Sequence, residues 1–202
     1  MKKYDQLASE QEIQTTVQGL NLNGFATVVV ATGEEAKTKA LELITEKSEV
    51  FTATSQTVDT IGLGSEINES GRFISVRNRV AKMDSNTQGL EKRRIGSAAD
   101  WVVGSVHAVT QDGHVLVASA SGSQLPAYIF GASSVLWIVS TKKITQNIED
   151  GTRRIYDYVF PLENARAQKA YGANSSVNFL LTINKQRPGR ATIILVKELL
   201  GF

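Results

Sequence analysis

The stretch Phe25-Ala26-Thr27-Val28-Val29-Val30-Ala31-Thr32-Gly33-Glu34-Glu35-Ala36 decides the class of fold. Its first eight residues are an uncharged, β-branched run, the pattern of a strand buried on both faces of a parallel sheet. The period then changes. Thr32 is an N-cap type of residue, Glu34 and Glu35 place negative charge in a first helical turn, and Ala36, Ala40, Leu43 and Ile44 share one helical face up to about Lys47. Glu49 to Ala53 is β-rich again, and the polar turn Thr54-Ser55-Gln56-Thr57 leads into a short helix carrying Val58, Ile61 and Leu63. Strand, helix, strand, helix is the opening of a right-handed α/β unit with a mainly parallel sheet and helices on both faces.

The flanking chain extends this pattern. Upstream, Ile13, Val17 and Leu20 predict a helix over 9–20, with Ser9 as N-cap and Glu12 completing a capping box. Downstream, Phe73, Val76, Val80 and Met83 favour a helix over 72–83, and 84–97 reads as a loop or a helix extension. Trp101 to Val109 reads as one strand. Asp112-Gly113 then marks a hairpin into a second strand from Val115 to Ala118. Gly122 to Gly131 is a loop with a short helix, Ser134 to Ser140 a buried strand, and Thr145 to Val159 a helix with Ile148, Ile155 and Val159 inward. Pro161 suits the start of a further helix to Tyr171. Asn178 to Asn184 and Ala191 to Val196 are strands, joined through Lys185-Gln186-Arg187-Pro188-Gly189-Arg190 and expected as an antiparallel C-terminal pair. With no repeat and no linker, residues 1–202 are expected to form one domain, with a helical segment over 1–24 and an α/β core over 25–202. An edge left by the C-terminal pair makes a homo-oligomer the natural expectation.

Composition narrows the chemistry. The chain has 202 residues, no Cys and two His. That removes a disulfide framework, a thiolate zinc site, a nucleophilic Cys and any Cys-ligated iron–sulfur cluster on this chain, so no cofactor is expected on it. No apolar stretch follows Met1-Lys2-Lys3, and the longest apolar runs have strand length. A cytoplasmic protein without a membrane partner is the expectation.

Charge is uneven: −6 over 1–71, +5 over 72–94 and +3 over 95–202. The basic middle is either an anion-facing patch or a solvated helix and loop. With Phe73 its one aromatic, it lacks the stacking set of a single-strand binder, and no nucleic-acid partner is expected.

Ligands of open α/β sheets bind beyond the carboxyl ends of the parallel strands. Three polar turns fall there: Thr54-Ser55-Gln56-Thr57, Gly104-Ser105-Val106-His107, and Ser119-Ala120-Ser121-Gly122-Ser123-Gln124. Hydroxyls, free backbone N–H groups and a helix N-terminus suit a carboxylate or phosphate, or simply cap helices. The candidate ligand-binding residues are therefore Thr54, Ser55, Gln56, Thr57, Gly104, Ser105, Ser119, Ser121, Gly122, Ser123 and Gln124. His107 is the candidate catalytic base or donor, or else a hydrogen-bonded core histidine. A Ser105–His107 assembly with Asp100 or Asp112 can be written, but no nucleophile elbow supports it. Neither a phosphate loop nor a dinucleotide fingerprint occurs. Lys142-Lys143 is either an anion neutraliser or a solvated strand end, Arg187 and Arg190 flank a surface turn, and Arg166 is a clamp or a surface charge.

The run Ala99-Asp100-Trp101-Val102-Val103-Gly104-Ser105-Val106-His107-Ala108-Val109-Thr110, continued in Ser119-Ala120-Ser121-Gly122-Ser123-Gln124-Leu125-Pro126 and preceded by Thr54-Ser55-Gln56-Thr57-Val58-Asp59-Thr60-Ile61-Gly62-Leu63, resembles the lactate-utilisation domain family, the LUD or LutC-like proteins. The likeness runs from about Glu12 to Phe202. It implies a fold like the NagB/RpiA/CoA-transferase group and a link to oxidation of L-lactate to pyruvate, with sister subunits carrying iron–sulfur clusters. The chain lacks the acidic run of the pentose phosphate isomerases, the Gly-rich run of the formyltetrahydrofolate cyclo-ligases and the CoA-transferase glutamate motif. Three readings stay open: a non-redox component that binds a small anionic metabolite, a structural subunit docked on iron–sulfur oxidoreductase subunits, and an independent isomerase or acyl-transfer enzyme using His107.

Overall fold

The computed structural model describes residues 4–202; residues 1–3, the start of the expected N-terminal segment, lie outside the described residues. Helix α1 (Glu10–Leu22) begins as its sequence requires: Glu12 N–H donates to Ser9 Oγ (3.3 Å) and Ser9 N–H to Glu12 Oε2 (2.8 Å). Strand β1 (Ala26–Val30), helix α2 (Gly33–Leu43), strand β2 (Glu49–Thr52), helices α3 (Gln56–Thr60) and α4 (Leu63–Glu69) and the short strand β3 (Ile74–Ser75) follow. Helix α5 (Val76–Ala81), helix α6 (Gly89–Ser97), strands β4 (Trp101–Gly104), β5 (Ala108–Thr110), β6 (Val115–Ser119), β7 (Ser134–Ser140) and β8 (Ile144–Thr145), helices α7 (Ile148–Arg154) and α8 (Phe160–Tyr171), and strands β9 (Phe179–Ile183) and β10 (Ala191–Val196) complete the order.

Six strands form a parallel sheet in the order β1-β10-β7-β4-β2-β3, and four form a mixed sheet in the order β8-β5-β6-β9. Alternation along β7 and β10 feeds two cores. Leu136, Ile138, Ile194 and Val196 pack with Ala36, Ala40, Val58 and Leu63 from the covering helices. Val135, Trp137, Val139, Ile193 and Leu195 pack toward the second sheet and α1, where Tyr128 meets the Trp137 indole edge-on at 5.3 Å. The α/β class, the parallel sheet and the Asp112-Gly113 hairpin (Gly113 φ 87°) stand as expected. No helix among the described residues is long and apolar enough to cross a membrane.

Five local expectations change. The Phe25–Thr32 run is not buried on both faces: β1 is an edge strand and Val29 is 40% exposed, because β-branching reports strand preference rather than depth. The Trp101–Val109 run is two strands in different sheets, with Ser105, Val106 and His107 crossing between them; both halves are buried, so nothing apolar marks the break. Over 72–83 a two-residue strand precedes α5, with Ser75 as its cap, and α6 is a separate helix. Pro161 lies in the first turn of α8, as expected, but no loop precedes that helix: the chain runs into it from α7 through a π-helical turn, Ile155–Val159.

The last two strands are not an antiparallel pair. β9 is antiparallel to β6, and β10 lies parallel between β1 and β7. The seven-residue connection, 184–190, carries the chain from one sheet to the other and is pinned there. Gln186 N–H donates to Asn23 O (2.8 Å), and the Arg190 guanidinium donates to the carbonyls of Ala127 (3.0 Å), Tyr128 (2.9 Å) and Ala132 (3.2 Å). Arg190 is thus a structural clamp rather than a surface charge. Of the two C-terminal strands only β9 lies at a sheet edge, with Phe179 and Leu180 exposed.

Candidate functional site

The carboxyl ends of β2, β4, β6 and β7 surround one cavity of about 740 Å³. Its walls bring together Thr54, Ser55, Gln56, Thr57, Ser105, His107, Ser119, Ser121, Gly122, Ser123 and Gln124, from all three polar turns. Gly104 does not line it. A side chain there would meet the Tyr128 hydroxyl and stand 3.1 Å from Ala53 Cβ, so its glycine serves packing. Gly104→Ala should cost about 2 kcal/mol, as overpacked cores do, seen as a lower denaturation midpoint with ligand affinity retained.

The third turn uses much of its polarity on itself. Ser119 Oγ donates to Gln124 Oε1 (3.0 Å) and accepts from Gly122 N–H (2.9 Å), and Ser121 Oγ accepts from Ser123 N–H (3.3 Å). The amides expected to face an anion are occupied by these hydroxyls. In the first turn, Ser55 Oγ likewise caps α3 by accepting from Val58 N–H (3.3 Å).

His107 is set as a donor. Its Nδ1 accepts from Ala118 N–H (3.0 Å), so in the neutral ring the proton sits on Nε2. Burial, with the nearby cations Lys143 and Arg154, pushes its pKa down to about 3. At neutral pH the ring is uncharged and its one free lone pair is already engaged. No Ser–His–Asp assembly forms. Ser105 Oγ meets Lys143, Asp100 accepts from Glu49 N–H (2.9 Å) at the opposite end of the sheet, and Asp112 lies 3.6 Å from the other histidine, His114.

Lys143 is the group that sequence reasoning undervalued. Lys142 and Lys143 form a tight turn after β7 and are 7% and 4% exposed, not a solvated strand end. Lys142 Nζ donates to Gly201 O (2.6 Å). Lys143 Nζ lies 2.9 Å from Thr57 Oγ1, 3.0 Å from Ser105 Oγ and 3.2 Å from Val106 O, and no carboxylate pairs with it among the described residues. Burial, then the positive charges of Arg154 and Lys142, holds its pKa well below that of an ordinary lysine. Nζ donates to all three partners, the Thr57 and Ser105 hydroxyls and the Val106 carbonyl, each of them uncharged. The available signal was position, since a basic doublet directly after a wholly apolar strand stands at the carboxyl end of a central parallel strand.

The basic segment divides. Arg77, Lys92 and Arg93 line the cavity, whereas Arg72, Arg79 and Arg94 pair outside with Glu46 (3.3 Å), Glu49 (2.9 Å) and Glu91 (3.7 Å). Arg77 is anchored on Thr52 O (Nε 3.0 Å, Nη2 2.7 Å) and Thr54 Oγ1 (3.1 Å). Lys92 is anchored on Met83 O (3.2 Å) and Ser85 Oγ (2.8 Å). Arg166 also lines the cavity, clamped by Glu163 at 2.7 and 2.6 Å. Five basic side chains and one acidic side chain, itself tied to Arg166, therefore border the cavity among the described residues. Beneath the crossover Arg154, fully buried, donates to the His107 carbonyl (2.5 Å) and lies over the Tyr158 ring at 5.3 Å. No group of three or more His, Cys, Asp or Glu placed to hold a metal occurs among the described residues.

A family model described as LUD domain matches residues 13–196. Among solved structures, the crystal structure of a DUF162 family protein from Deinococcus radiodurans is similar with a TM-score of 0.58, at 13% identity, over 94% of this chain and 99% of that one. At that identity the likeness establishes a shared fold. No curated protein matches the chain.

Proposed function

The chain belongs to the LUD domain family, a family linked to lactate utilisation, and we propose that it serves organic-acid metabolism as a non-redox component that holds a small anionic metabolite in this cavity. One observation carries the reading: five basic side chains against a single, already paired carboxylate around a concave site at the strand ends. In a site partly screened from water, that imbalance favours a bound carboxylate or phosphate through charge-assisted hydrogen bonds. Ser121 and Ser123 add hydroxyls at the rim, and His107 offers Nε2–H as an uncharged donor. With no Cys in the chain, electrons moved in any lactate oxidation would pass through partner subunits carrying the clusters.

Isothermal titration over lactate, pyruvate, sugar phosphates and CoA esters tests this. At least one should bind, and Arg93→Gln with Lys92→Gln should weaken it about 10-fold or more, as loss of charged hydrogen bonds does. The slope of affinity against salt should become shallower. No heat and no thermal stabilisation from any of them at millimolar concentration would count against the reading.

A second reading, an assembly role, draws on β9 and the neighbouring Ile129, which share a shallow surface depression, Ile129 being 52% exposed. Co-purification of a Cys-rich partner, lost on charge insertion at Leu181, is its test.

A further inference from the structure

We propose that Lys143 is a carbonyl-reactive residue, forming an imine with a short α-oxo acid whose carboxylate is held by the cavity's arginines and Lys92. The inference rests on the anion-binding reading and names its substrate class.

Three features converge on this chemistry. The amine lies in the wall of a ligand-sized cavity rather than sealed in the core, while its side chain is 4% exposed. Its partners are two hydroxyls and a carbonyl, with no carboxylate to hold it as an ammonium ion. The remaining cations supply the counter-charge for a carboxylate, so the ligand suited to the whole site has a carbonyl at one end and an anion at the other. Burial lowers the pKa of the amine and so raises its share of nucleophilic free base above that of an ordinary lysine, the usual route to an activated lysine.

The step balances without an oxidant or a reductant. The Nζ lone pair attacks the carbonyl carbon and forms a C–N bond. The carbonyl oxygen takes up a proton, relayed from Nζ through the Ser105 or Thr57 hydroxyl, giving a carbinolamine. The nitrogen lone pair then forms the C=N bond as the C–O bond breaks, and the hydroxyl leaves as water with the remaining Nζ proton, giving the imine. His107 lines the same cavity, and its Nε2–H would polarise the carbonyl oxygen, a role open to a neutral donor and closed to a base whose Nδ1 is already bonded.

The test is reductive trapping. The full chain is incubated with pyruvate or glyoxylate and borohydride, digested, and the modified lysine located by mass spectrometry. The expected result is a stoichiometric reduced adduct on Lys143, little on surface lysines such as Lys37, and suppression by saturating inorganic phosphate. Lys143→Arg, whose fold is checked by its melting curve, should lose the adduct while still binding phosphate. Adducts spread over surface lysines, or none on Lys143, overturn the proposal. If pyruvate protects the protein thermally while Lys143 stays unmodified, the imine fails and the anion site survives; if phosphate and pyruvate both leave the protein unaffected, the underlying anion-binding reading fails as well.

Discussion

Lys143→Met will give a protein that melts higher than the natural one and no longer forms the trapped adduct. In the unfolded chain Lys143 carries its proton up to about pH 10.4. In the folded protein its pKa lies well below that. Between the two values the unfolded state binds the extra proton, so folding is penalised, and the penalty fades only as pH rises toward the unfolded value. Methionine fills a similar volume without the charge. Against this gain stands the Val106 carbonyl, which loses a partner at a cost of about 1 kcal/mol; Thr57 and Ser105 can turn to cavity water. The net expectation is a higher melting temperature at neutral pH. The advantage should shrink when melting is repeated near pH 10. A lower melting temperature at neutral pH would mean that the lysine is a structural clamp. Stability surrendered at a working site is the ordinary trade-off between function and stability.

The second large effect is acid lability centred on His107. Its folded pKa of about 3 lies below the ordinary value of 6.5, so between those limits the unfolded chain binds a proton that the folded chain does not. Stability from this group is intact above pH 6.5 and falls as pH drops toward 3. At about 1.4 kcal/mol per unit, the loss between pH 6.5 and 4 comes to about 3 kcal/mol. Urea denaturation at pH 7 and pH 4 measures it. His107→Asn keeps an acceptor for Ala118 N–H and does not titrate, so its midpoint should fall less over the same interval. Equal losses in both proteins would place the acid-sensitive group elsewhere.

Much of the architecture was legible because local chemistry and tertiary context agree. Ser9 and Glu12 close a capping box, Thr32 starts α2, and Asp112-Gly113 turns a hairpin. What the chain hides is where a run changes sheets. From Trp101 to Val109 the residues of β4 and β5 are apolar, because both strands are buried, and the crossover at Ser105–His107 shows only as a slightly polar interval. The same blindness affects the C-terminus, where a Pro-Gly turn looks like a hairpin although β10 is a central strand, buried except at Thr192. The candidate site was found because the carboxyl-end rule applies to a parallel sheet once its strands are known. Its charge was harder to place. Arg77, Lys92 and Arg93 are indistinguishable in sequence from Arg72 and Arg79, and only the packing of α5 and α6 beside β2 separates cavity cations from outer ion pairs. Lys143 was masked by the expectation that adjacent lysines are solvated.

Crystals soaked with a mixture of pyruvate, lactate and sugar phosphates should show electron density for a carboxylate or phosphate in the cavity, with oxygens about 2.7–2.9 Å from Arg77, Lys92 or Arg93, the range of charge-assisted hydrogen bonds. A cavity holding only water while the same anions occupy other surfaces would contradict the anion-binding reading.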